Sequence, residues 1–66
     1  MEDIDIWRTA GTMIAQYGED APIIAAQRVD ALMALGDLDG RIAWRRIYWF
    51  IRELLAVERP KARALY

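Results

Sequence analysis

The sequence contains no cysteine, no histidine and no serine. Without cysteine there can be no disulfide, and without cysteine or histidine the usual zinc ligands are missing, so two common ways of stapling a small domain are closed. Serine- or cysteine-type nucleophilic catalysis needs one of those residues and a base such as histidine, and none is present. The four glycines do not form a phosphate-cradling loop. No apolar run approaches the roughly 20 residues of a spanning helix. The longest candidate, Ile47 to Phe50, is bracketed by arginines. The amino terminus, Met1-Glu2-Asp3-Ile4-Asp5-Ile6, is acidic where a secretory leader is basic, so the expected location is the cytoplasm. No enzymatic activity, cofactor, metal or small-molecule substrate is expected.

What remains is 66 residues, 56% of them hydrophobic. A chain this short buries only about 60% of the surface its unfolded form exposes. The apolar fraction nevertheless exceeds the common range of about 45–50%. Together these values predict that another chain covers part of the apolar surface, with a homodimer as the simplest arrangement.

The net charge of −1 conceals a split. Residues 1–40 carry eight acids against Arg8 and Arg28, a net of −6, whereas residues 41–66 carry seven bases against Glu53 and Glu58, a net of +5. Such asymmetry is a hint of nucleic-acid or membrane contact. Acids at helix starts and bases at helix ends produce the same pattern without either.

The punctuation predicts three helices in one domain spanning residues 1–66. The first, about residues 4–17, starts after Asp3 or Asp5 and stops at Gly18, with Trp7, Ala10, Ile14 and Tyr17 along one face. The second, 21–35, has Asp20 as its cap, Pro22 in its first turn and Gly36 at its end. Its inward face is expected to be Ala25, Ala26, Val29, Leu32 and Met33. A weaker second stripe holds Ile24, Ala31 and Leu35. The third, 38–57, is capped by Asp37 and stopped by Pro60, leaving a frayed tail over 60–66. Linkers of two to four residues predict antiparallel neighbours. The expected fold is therefore all-α, a small three-helix bundle: a helical hairpin plus a third, longer C-terminal helix.

On the third helix, Trp44, Ile47, Tyr48, Ile51 and Leu55 share one face, flanked by Ala43, Phe50 and Leu54, which is enough for a core. Leu38, Ile42 and Trp49 fall opposite, among Arg45, Arg46, Arg52 and Glu53. Tryptophan, tyrosine and arginine are enriched at interface hot spots. Ile42, Arg45, Arg46, Trp49 and Arg52 are accordingly the candidate partner-binding residues, for a protein partner or a second copy. Trp49 lying flat over arginine stems is the plainer alternative.

Other patterns resolve into structure. Asp37-Leu38-Asp39-Gly40 has the rhythm of a calcium loop, but aligning Gly40 to position six puts Leu35 and Arg46 at the first and last ligand positions, so the segment is a capping turn. Thr9 and Thr12 are ordinary exposed helix residues, and Glu53 and Glu58 are expected to pair with nearby arginines. A nucleic-acid-binding regulator of the helix–turn–helix type, using the arginines of the third helix, is the rival function. Against it stand Asp37 and Asp39 at the start of that helix and a pI near 5.2. A membrane-surface helix is weaker still, because the third helix already has a core face.

The groups Gly18-Glu19-Asp20-Ala21, Ala25-Ala26-Gln27-Arg28-Val29-Asp30-Ala31-Leu32 and Gly36-Asp37-Leu38-Asp39-Gly40, with Trp44, Ile47 and Glu53-Leu54, carry a resemblance. In this spacing the chain resembles a set of small alphaproteobacterial hypothetical proteins of unknown function, over about residues 7–55. Those proteins have Ala where Val29 stands. The resemblance implies a bacterial cytoplasmic protein and carries over no functional residue. Arg28 and Asp30 belong to the shared pattern and read as surface or helix-bridging charges.

Overall fold

The computed structural model describes residues 2–58, apart from the side chain of Glu58; the expected tail over 60–66 lies outside the described residues. Among these, only Glu2, Gly36 and Asp37 lie outside helix, and there is no strand. The fold is all-α. Helix α1 is Asp3–Tyr17, α2 is Ala21–Leu35 and α3 is Leu38–Glu58.

Helix α1 starts one residue earlier than the spacing predicts. Glu2 has extended backbone, and its carbonyl accepts from the N–H groups of Asp5 (3.0 Å) and Ile6 (3.1 Å). Asp3 and Asp5 therefore sit inside the first turn, where their charge complements the helix dipole. The Thr9 hydroxyl donates back to the Asp5 carbonyl at 2.8 Å.

No loop separates α1 from α2. The chain passes through a single 3-10 turn, Gly18–Asp20, entered by Gly18 at φ 58, ψ −128. That backbone region is open to glycine and disfavoured for any residue with a Cβ. The consequence is a correction to the expected cap. Asp20 has helical backbone (φ −83, ψ −8) and makes no side-chain cap bond, because the turn already delivers the chain in helical geometry. Pro22 occupies the first turn of α2, as predicted.

The α2–α3 connection is tighter. Gly36 is left-handed (φ 77, ψ 15) and its N–H reaches the Met33 carbonyl at 3.1 Å, while the Asp37 N–H reaches the Leu32 carbonyl at 2.9 Å. These two bonds form a Schellman closure. Asp37 then turns to the next helix, its Oδ1 accepting from the Gly40 N–H at 2.9 Å. One residue both ends α2 and caps α3.

Helices α1 and α2 touch each other little, and each packs chiefly on α3. They form one bent arm with α3 laid along both limbs. Along α3, Asp3 meets Arg46 and Trp7 meets Phe50, so α1 advances in the same direction as α3, whereas α2 returns antiparallel. The starts of α1 and α3 thus lie at one end of the molecule.

The core comprises Ile6, Ala10 and Met13 from α1, Ala21 and Ala25 from α2, and Ile47 and Ile51 from α3. Trp44, Tyr48, Phe50, Leu54 and Leu55 pack against it, as do Ile14 and Ile24. The face expected of α3 is the one buried. The α1 face is displaced: Ala10 is shared, but Ile6 and Met13 are buried, while Trp7 is 52% and Tyr17 41% exposed. Trp7 closes the α1–α3 seam instead, tilted on Phe50 with ring centroids 6.5 Å apart. On α2 the alanine-rich inward face holds, but Met33 is exposed and Ile24, placed in the second stripe, packs on the core.

Candidate interaction face on the third helix

Because Ile47 and Ile51 point at the core, helical geometry turns Leu38, Ile42 and Trp49 outward. They are 59%, 49% and 55% exposed. Ile42 and Trp49 stand seven residues apart, about 10.5 Å along the axis. Arg45, Arg46 and Arg52 are exposed beside them. The five candidate residues therefore share one outward face, but they are not equivalent.

Arg52 is held by two rings. Its guanidinium carbon lies 5.7 Å from the Tyr48 ring centre and 5.3 Å from that of Trp49, and Nη1 donates to Tyr48 Oη at 3.3 Å. Tyr48 and Trp49 meet edge to face, with centroids 5.5 Å apart and an interplanar angle of 77°. Each ring supplies a face to the cation, and stacking of this type is worth about 0.5–1 kcal/mol at exposed sites. Trp49 therefore does cover an arginine, and still leaves half its surface to solvent.

Arg46 is committed elsewhere. Its Nη2 donates to Asp3 Oδ1, forming an ion pair that ties α3 to the start of α1. Arg45 shares a shallow groove with Ala26, Val29, Asp30, Tyr48 and Trp49, between α2 and α3. Ile42 and Arg46 line a second groove with Ile6, Asp39 and Ala43, on the α1 side. Glu53 lines a third with Arg46, Trp49 and Phe50. The face thus has two unlike edges. The α2 edge carries Arg41, Arg45 and Arg52; the α1 edge carries Asp39, Glu53 and the Asp3–Arg46 pair.

Several sequence expectations change here. Glu53, expected to pair with a nearby arginine, makes no ion pair with another described residue. The side chain of Glu58, for which the same was expected, lies outside the described residues. Arg28 has a helix-bridging role: its guanidinium stacks over Trp44 at 5.2 Å, joining α2 to α3. Tyr48, expected in the core, also forms one wall of the Arg52 clamp. Its i, i+4 relation to Arg52 was the signal that could have found it.

At the hairpin end, Arg41 lines a hollow with Met33, Gly36, Asp37 and Leu38, and its Nε is buried with no hydrogen-bond partner among the described residues. Among the described residues no group of three or more acids could hold a metal ion. No helix there is long and apolar enough to cross a membrane.

Comparison of the chain with protein-family models, with curated proteins and with solved structures returned no match.

Proposed function

We propose that this protein is a non-enzymatic protein–protein interaction module that self-associates and docks its partner through the outer face of α3. The observation that carries this reading is Trp49, 55% exposed on a helix whose opposite face already supplies the core. A buried aromatic anchor ringed by arginine is the usual composition of an interface centre. The small core adds a second reason. Among the described residues its fully buried large side chains are Ile6, Ile47 and Ile51, so covering the outer face would supply stabilisation that the monomer lacks. In this reading the bent arm and α3 act together as a small three-helix bundle, in the cytoplasm of a bacterium as the resemblance implies. Ile42 and Trp49 are the apolar contacts, Arg45 and Arg52 the polar rim, and Arg46 positions α1 through Asp3.

The test is Trp49→Ala in the full chain, with solution mass measured over a concentration series. Helix content stays the same, while self-association and partner capture are lost. A variant that keeps both refutes the proposal. Binding to duplex DNA that weakens steeply with salt would instead favour the nucleic-acid reading.

A further inference from the structure

We infer that the occupant of this face is a second copy of the chain, paired through α3 with the two helices parallel about a two-fold axis running along them. The inference rests on the self-association proposed above and adds its partner and its geometry.

The argument starts from the two edges of the face. Relative to the Ile42–Trp49 row, Arg41, Arg45 and Arg52 lie on the side of α2, where Asp30 lines the groove beside Arg45 and Asp37 the hollow beside Arg41. Three bases against two acids leave that edge positive. On the side of α1 lie Asp39, Glu53 and Asp3, with Arg46 as the base. Three acids against one base leave that edge negative.

An isologous pair presents the same patch twice, and the direction of pairing decides which edges meet. Antiparallel α3 helices bring like edges together, arginines against arginines and acids against acids, which is repulsive. Parallel helices bring each α1 edge against the α2 edge of the other copy. Arg52 then stands one residue from the height of Glu53 of the second copy, and Arg41 two residues from that of Asp39. Both contacts are repeated by the two-fold.

Two features favour the Arg52 contact. The guanidinium is already oriented by Tyr48 and Trp49, so less side-chain freedom remains to be lost on pairing. Glu53 makes no ion pair with a described residue of its own chain. The potential Arg45-to-Arg46 clash at the centre is relieved because Arg46 is neutralised by Asp3. At the axis, Ile42 faces Ile42 and Trp49 faces Trp49, burying the apolar row against itself.

The absence of cysteine allows a direct test, since each introduced thiol is the sole one in the chain. Leu38→Cys and Ala56→Cys, exposed positions on the same face that leave Trp49 in place, are prepared separately and oxidised mildly. In the parallel pair each variant cross-links to its own copy, because each position faces itself. An antiparallel pair has its two-fold at one height, so at most one variant cross-links to itself.

Charge exchange is read by sedimentation equilibrium. Arg52→Glu and Glu53→Arg each weaken dimerisation roughly tenfold, since an exposed pair is lost twice. The double exchange restores it. Self-linking of one cysteine variant only, or failure of the double exchange to restore pairing, overturns the parallel geometry while leaving self-association standing. A wild-type chain that stays monomeric throughout overturns both.

Discussion

Asp37 does two jobs with one backbone unit and one carboxylate. Its N–H closes α2 on the Leu32 carbonyl, and its Oδ1 caps α3 at the Gly40 N–H. Removing the carboxylate in Asp37→Ala should cost about 1 kcal/mol, measured by urea denaturation. Gly40 is tied to this cap: a Cβ placed there would lie 2.6 Å from Asp37 Oδ2. Gly40→Ala, favourable by helix propensity alone, should therefore fail to stabilise the protein while Asp37 is present. In an Asp37→Ala background the same change should stabilise by about 0.5–1 kcal/mol, the ordinary alanine-over-glycine gain. A double-mutant cycle reads the coupling, and additive effects would show that cap and glycine are independent.

Each helix was legible to a different degree, for reasons that lie in its own residues. Helix α3 has one apolar arc centred on Ile47 and Ile51 and a separate outward row, so its wheel has a single solution. Helix α1 offers two interleaved stripes, Trp7–Ala10–Ile14–Tyr17 and Ile6–Ala10–Met13, both at spacings of three and four. Weighting by aromatic size selects the first. The second is the one buried against α3. For α2, alanine on the inward side lets the backbones approach, but alanine carries too little volume to mark a face in the pattern. The consequence for stability sits on α3. Ile47→Ala or Ile51→Ala should each cost about 2–4 kcal/mol, because each removes a fully buried branched side chain from a core of seven residues. Ile42→Ala, on the same helix but half exposed, should cost the monomer under about 1 kcal/mol. Thermal denaturation at a low, fixed concentration compares the three.

For the molecule as a unit, the relevant quantity is how much apolar surface remains uncovered. Leu35 is 79% and Ile23 58% exposed in addition to the α3 row, against a core among the described residues in which four of seven members are alanine or the flexible Met13. If pairing completes the fold, stability is linked to association. The thermal midpoint should then rise with protein concentration, and Trp49→Ala should remove that dependence. The Asp3–Arg46 pair works between elements and is largely exposed, Asp3 the more so, and Asp3→Ala should cost no more than about 1 kcal/mol and its effect should shrink in high salt.

Composition and local pattern were enough to determine an all-helical chain, its three helical segments, the Gly36-Asp37 junction, the buried face of α3 and the outward set Ile42, Arg45, Arg46, Trp49 and Arg52. These follow from interactions within a few residues, where helical geometry leaves one arrangement. Tertiary structure alone decided the rest: that α1 and α2 form a bent arm, that Ile6 displaces Trp7 from the core, that Arg46 is taken by Asp3, and that Tyr48 and Trp49 hold Arg52 between them. The Arg46 pairing spans 43 positions, and which stripe of α1 is buried is decided where α1 packs on α3, beyond the turn Gly18–Asp20. Neither leaves a periodic trace in the sequence.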